Sequence, residues 1–187
     1  FEQTVKKFDA VIATGSDNSS RYFDYYFGKY PHIIRKNRTS VAVLQGSESE
    51  LELTKLGHDV FSYFGLGCRN VSKLFVPQGY EFRNLFESWE FYNTISLHHK
   101  YYNNYNYQKS IFAVSQQHHL DNGFVLLQES EKLVSPIAVV YYEYYDNHKE
   151  LNIEISQVRE KIQCIVGNTF PGSVKFGQAQ MPELMDY

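Results

Sequence analysis

The sequence predicts an α/β fold, a mainly parallel sheet in a three-layer arrangement with helices, and three observations predict it. Phe8-Asp9-Ala10-Val11-Ile12-Ala13-Thr14-Gly15 is a short, nearly continuous apolar run ending at glycine. That is the pattern of a strand buried on both faces of a parallel sheet. Strand-type and helix-type segments then alternate as far as residue 80, the order expected of strand–helix–strand crossovers. Two further apolar runs, Ile137 to Tyr145 and Gln163-Cys164-Ile165-Val166, supply late strands.

Each element has its own local reason. Ser16-Asp17-Asn18-Ser19-Ser20 is rich in helix N-caps, and the helix it opens runs to Tyr30, ended by Gly28 and Pro31. His32 to Ile34 and Ser40-Val41-Ala42-Val43-Leu44 are the next strands. From Glu48 to Phe64 the residues Leu51, Leu53, Leu56, Val60, Phe61 and Phe64 recur close to helical spacing. Val71 to Val76 returns to strand and Pro77 closes it. Residues 81–95 and 100–116 read as helices, the second carrying the Tyr/Asn-rich patch from Tyr101 to Tyr107. Gly123 to Gln128 and Ile137 to Tyr145 read as strands, and Ile155 to Ile162 as a helix. No Pro/Gly/Ser linker and no internal repeat interrupts the chain, so one domain is expected over residues 1–187.

Composition excludes several classes. At 187 residues with 43% hydrophobic and 21% charged residues, the chain can bury one sizeable core. A net charge of −3 gives no pull toward nucleic acid or an anionic membrane. Two cysteines make no secreted disulfide framework, no apolar run reaches spanning length, and the first residues are no signal peptide. The expectation is a cytoplasmic protein without nucleic-acid partners or a membrane span. Sixteen tyrosines could form base-stacking platforms, but only Arg35-Lys36-Asn37-Arg38 comes near the basic interleaving such a surface needs. Packing is the preferred account of them.

The chemistry concentrates at Cys68. It lies in Gly65-Leu66-Gly67-Cys68-Arg69-Asn70, a glycine-bracketed turn between a helix and a strand, with a cation at Arg69. A thiol held open on such a turn beside a positive charge suits a nucleophile. A small core hydrophobe is the alternative, and local sequence does not separate the two. Cys164, inside an apolar strand, reads as inert. His98-His99 and His118-His119 have no Cys/Asp/Glu spacing to complete a metal site, and no metal is expected. Glu48, Glu50 and Glu52 suit the start of a helix. Thr14-Gly15-Ser16 ends the first strand ahead of a helix, where backbone N–H groups suit a phosphate.

Taken together, the order strand–Thr14-Gly15-Ser16–helix–strand–helix–Gly65-to-Ser72–strand resembles the catalytic half of the aldehyde dehydrogenase superfamily. More narrowly, it is similar to the fatty acyl-CoA reductases of the bacterial bioluminescence type. Ser135-Pro136-Ile137-Ala138-Val139-Val140 resembles the family's strand after Phe-Gly-Pro, and Phe176-Gly177-Gln178-Ala179-Gln180 its late Phe-Gly turn. The resemblance implies an aldehyde dehydrogenase-like catalytic domain in which Cys68 is the nucleophile. Its backbone N–H would be an oxyanion donor. Thr14, Gly15 and Ser16 would face the cofactor, NADPH or NADH, and the substrate would be an acyl-CoA. The full-length protein would be a homo-oligomer.

Two departures from the family sharpen the expectation. Members that hydrolyse their acyl-enzyme carry Glu-Leu-Gly-Gly-Lys ahead of the second core strand, and its Glu activates water. The matching stretch here, Ile34-Arg35-Lys36-Asn37-Arg38, has no carboxylate, which suits a reductase that keeps its thioester intact. Family members are also much longer, so the chain reads as a fragment whose cofactor-binding half is missing. A cysteine-dependent acyltransferase or thioesterase, and a non-catalytic oligomerisation module, are the rival expectations.

Overall fold

A computed structural model describes residues 8–15, 17–35 and 37–183. The expectations placed on Ser16, Lys36, the first residues and Met185-Asp186-Tyr187 lie outside the described residues. The chain divides into two compact units, Phe1–Arg38 and Thr39–Tyr187.

The first unit is a single strand–helix–strand crossover. Strand β1 (Val11–Thr14), helix α1 (Asp17–Phe27) and strand β2 (His32–Arg35) follow in order. β1 and β2 pair in parallel, from Val11 opposite His32 to Thr14 opposite Arg35. Phe8 packs its ring on Phe27 and Tyr30 at 5.8 and 4.6 Å. The apolar run at Phe8–Gly15 predicts a strand buried on both faces, and that expectation is corrected. β1 has one strand neighbour, and Ile12 is 77% exposed. Apolar composition reported the strand but not how much covers it.

The second unit holds the main sheet. Strand β3 (Thr39–Val43) leads through helix α2 (Glu50–Phe61) and a 3-10 turn (Ser62–Gly65) to strand β4 (Val71–Pro77). Helix α3 (Arg83–Trp89) tightens into a 3-10 stretch (Glu90–Leu97), and helix α4 (His99–Val114) follows. Strands β5 (Leu120–Asp121), β6 (Leu126–Glu129) and β7 (Val139–Tyr145) precede helix α5 (His148–Gln157) and strand β8 (Ile162–Val166). The sheet order is β5-β6-β7-β4-β3-β8, and every neighbouring pair is parallel except β5 with β6.

Alternation along the strands sorts the core into layers. Ala42, Leu44, Leu74, Val76, Val140 and Tyr142 face one side, against Leu53, Leu56 and Val60 of α2 and Leu85 and Trp89 of α3. Val41, Val43, Phe75 and Tyr145 face the other, against Leu151 and Ile155 of α5. Tyr101, Tyr105 and Phe112 bring α4 onto Leu126, Val139 and Tyr141. The expected three-layer, mainly parallel sheet is the observed one. The Tyr-rich patch resolves by helical phase: Tyr101 and Tyr105 are buried, while Tyr102 and Tyr107 are exposed.

Helix ends follow capping chemistry. Ser49 and Glu52 form a reciprocal capping box at α2, and Asn147 accepts from the Lys149 and Glu150 amides to start α5. The apolar pattern places that last helix at Ile155 to Ile162; the Asn147 cap starts it earlier, and a 3-10 turn (Arg159–Lys161) ends it. At Gly57 a Cβ would lie 2.3 Å from the Tyr92 ring, so only glycine permits this approach. Among the described residues no helix is long and apolar enough to cross a membrane.

One ion pair sits inside the sheet. Lys73 on β4 is 1% exposed; its ammonium binds Glu143 of β7 and the Glu131 carbonyl, the latter at 2.9 Å. Removing one partner of such a pair strands a buried charge at a cost of about 3–5 kcal/mol. Glu143→Leu is therefore expected to lower the unfolding free energy by that order. Lys73→Met in the same background should recover most of the loss, read by urea denaturation.

Candidate active site

The Cys68 turn is built from its own backbone and one side chain. Tyr63, Phe64 and Gly65 adopt left-handed φ values of 53°, 61° and 73° in succession, ending the helical segment abruptly. Such conformations are costly for aromatic residues and persist only where surrounding contacts impose them. The turn closes when the Asn70 amide donates to the Gly67 carbonyl at 2.9 Å, leaving Cys68 and Arg69 as its two central residues. Asn70, 2% exposed, supplies the brace. Its Oδ1 accepts from the Gly67 amide at 2.8 Å, and its Nδ2 donates to the carbonyls of Asp59, Val60 and Ser62 at 3.1, 3.2 and 2.7 Å. These are the carbonyls a helix end leaves unpaired. A Cβ on Gly67 would sit 2.9 Å from Asn70 Oδ1, so the glycine is required by the brace.

Cys68 is exposed on this turn, and its carbonyl accepts from Ser40 Oγ of β3 at 3.0 Å. Its own N–H takes no partner among the described residues. Arg69 departs from expectation. The cation expected beside the Cys68 thiol is 9% exposed and directs Nε to the Ala179 carbonyl. Its charge is felt at Cys164, the buried thiol, and helps to hold that group down against burial. A guanidinium with an internal carbonyl to bind is drawn under the turn.

Two other stretches converge here. Asp59, fully buried on α2, accepts from the Gly177 amide at 2.6 Å and the Ala179 amide at 2.9 Å. It thereby pins residues 176–180 beneath the Cys68 turn. Residues 135–140 meet the start of the same turn across a narrow cleft of about 30 Å³, lined by Phe64, Gly65, Tyr101, Pro136, Ile137 and Val139. Ala138 on its wall is left-handed, with φ of 64°. The three stretches singled out in the sequence are thus neighbours in this unit.

Other candidates resolve individually. Cys164 is buried on β8, its thiol pushed up by burial and bonded to Ser40 Oγ at 3.0 Å. Ser72 bonds Thr39 and the Leu133 carbonyl, each at 2.6 Å, and ties strands together. His98 caps α4 and stacks on Phe64 at 4.1 Å. Among the described residues no three His, Cys, Asp or Glu side chains converge on a metal position. Thr14 and Gly15 stand at the carboxyl end of β1 in the first unit, and Ser16 lies outside the described residues. Sequence reasoning missed Asn70, Ser40 and Asp59. Asp59 carried a signal: a carboxylate one turn from Leu56 and adjacent to Val60, on the apolar stripe of its helix.

Two predictions test this construction. Asn70→Ala leaves helix-end carbonyls unpaired and should cost about 2–3 kcal/mol, with the rate of Cys68 alkylation changing as the turn loosens. Asp59 is raised from 3.8 to about 6, because burial outweighs the two amide donors. A raised carboxyl stabilises the fold fully below its unfolded pKa and loses that contribution as pH climbs through the folded value. The advantage of wild type over Asp59→Asn should therefore be largest near pH 4. It should shrink by on the order of 2–3 kcal/mol by pH 7, measured by urea unfolding across that range.

No family model and no curated protein matches the chain. Solved structures do. An indole-3-acetaldehyde dehydrogenase variant of P. syringae, solved with NAD+ and IAA, is 10% identical with a TM-score of 0.58, over 84% of this chain and 39% of its own. Aldehyde dehydrogenase 21 of Physcomitrella patens, solved with succinate, is 13% identical at 0.58, over 88% and 41%. A Bacillus cereus aldehyde dehydrogenase is 11% identical at 0.58, over 89% and 43%. The chain spans about two-fifths of the length of these structures. At such identities the likeness speaks for architecture, and the architecture is that of an aldehyde dehydrogenase-like α/β protein.

Proposed function

We propose that this chain is the thiol-bearing catalytic portion of an NAD(P)H-dependent acyl-CoA reductase that releases a fatty aldehyde. The observation that carries the reading is Cys68 itself. It is an exposed thiol on a turn braced by Asn70 and Ser40, at the start of a central strand of an aldehyde dehydrogenase-like fold. A nucleophile gains from being held still and open, because fixed approach replaces a costly encounter.

In this reading the Cys68 thiolate attacks the thioester carbonyl of an acyl-CoA. The tetrahedral carbon then expels the coenzyme A thiolate and leaves an acyl group on Cys68. The Cys68 N–H, uncommitted among the described residues, would donate to the transient oxyanion. No carboxylate occupies Ile34-Arg35-Lys36-Asn37-Arg38 to activate water, so the thioester persists.

The carboxyl end of β1 is where a dinucleotide phosphate would be held. Thr14 ends a parallel strand and Gly15 follows it just before α1, and the start of a helix favours an anion. When bound, the nicotinamide supplies the hydride that reduces the acyl group. Thr14, Gly15 and Ser16 would hold it, and no metal takes part.

Intact-mass measurement after incubation with a fatty acyl-CoA tests the reading. One acyl adduct is expected, mapped to Cys68 and absent from Cys164, and lost in Cys68→Ser. In the full-length protein, adding NADPH should discharge it as aldehyde. Discharge as free acid without the cofactor would assign a thioesterase instead, and an adduct surviving in Cys68→Ser would remove Cys68 from the reaction.

A further inference from the structure

Cys164 is the nucleophilic side chain near Cys68 that the proposed reaction leaves unused. These are the two cysteines of the chain. β3 lies between β4 and β8 in the sheet, and its Ser40 stands between the two sulfur-bearing residues. Ser40 Oγ is 3.0 Å from the Cys68 carbonyl oxygen and 3.0 Å from Cys164 Sγ, and it also accepts from the Cys164 amide at 3.3 Å. The buried sulfur is thus two hydrogen-bond lengths from the Cys68 backbone. Charge on Cys68 is felt at Cys164 and adds to the burial that keeps the buried thiol protonated.

This arrangement pairs an exposed thiol with a reserved one. The exposed member meets small oxidants first. The buried member is shielded from them, and Ser40 links its sulfur to the Cys68 backbone carbonyl.

We propose that Cys164 is a resolving thiol, which closes an intramolecular disulfide with Cys68 after hydrogen peroxide has oxidised Cys68. The Cys68 thiolate attacks one peroxide oxygen. The O–O bond breaks, sulfur is oxidised by two electrons to a sulfenic acid, and the departing hydroxide takes up a proton as water. Cys164 sulfur then attacks Cys68 sulfur. The S–O bond breaks, the leaving hydroxide takes the Cys164 proton as a second water, and the S–S bond forms. The disulfide withdraws Cys68 from acylation and spares it from irreversible sulfinic acid, and thiols restore it. The inference does not rest on the acyl-CoA reading, since it requires only an oxidisable Cys68.

The test is hydrogen peroxide titration of the chain, with free-thiol counting, intact mass and peptide mapping, and no acyl-CoA present. Wild type is expected to lose both thiols together and to lighten by two hydrogens. It should yield one linked peptide pair containing Cys68 and Cys164, reversed by dithiothreitol. In Cys164→Ser, dimedone should trap a sulfenic acid at Cys68, which then passes to sulfinic acid several-fold faster than in wild type. The wild-type result decides by itself, so a folding defect in the variant cannot obscure it. Wild-type Cys68 reaching sulfinic acid while Cys164 stays alkylatable would overturn the proposal. So would a disulfide that joins the Cys68 residues of two copies.

Discussion

The amide of Asn70 is the constraint on which the candidate site depends. One primary amide bonds through both its oxygen and its nitrogen at once. Its oxygen holds the Gly67 N–H, and its nitrogen serves three carbonyls between Asp59 and Ser62. The end of α2 and the turn that follows are therefore a single hydrogen-bonded object. Without it the carbonyls would be buried unpaired, each worth about 1–3 kcal/mol. The left-handed run at Tyr63, Phe64 and Gly65 is tolerated because this object over-determines the path of the chain. Ser40 then ties the object to the sheet through the Cys68 carbonyl.

Buried polar groups extend the same logic to neighbouring stretches. Among the described residues Asp59 has two amide donors and no cation bonded to it, so burial prevails and its carboxyl is raised to about 6. Lys73 has a carboxylate and a carbonyl in contact, which compensates its loss of solvent. Arg69 joins the first group by binding the Ala179 carbonyl. The outcome is an exposed sulfur above a rigid polar layer that links α2, β3, β8 and residues 176–180. Precision comes from the layer and access from the turn.

Much of this was legible. Apolar runs and helical spacing placed β3, α2, β4, α4, β7 and β8 nearly where they stand, because burial is written directly into residue type. Boundaries were less legible. Asn147 moved α5 forward, since a cap competes with the apolar pattern for where a helix begins. The short β5, Leu120–Asp121, pairs antiparallel with β6 and is too brief to show a period. For the site, Cys68 was visible from its glycine-bracketed turn, but its supports were not. Asn70 reaches carbonyls 8 to 11 positions back, and Ser40 reaches partners 28 and 124 positions on, so residue type alone announces neither role.

By itself the sequence determined the fold class and the strand–helix order, consequences of local composition and periodicity, and it singled out Cys68 without separating a nucleophile from a core hydrophobe. Tertiary structure alone decided which charges serve which sulfur. Arg69 adjoins Cys68 in the chain yet turns inward to the Ala179 carbonyl. Cys164, 96 positions after Cys68, comes to share its serine. The physical reason is that a buried donor is drawn to an acceptor inside the fold, as Arg69 Nε is to the Ala179 carbonyl, and the fold supplies that acceptor from a distant segment.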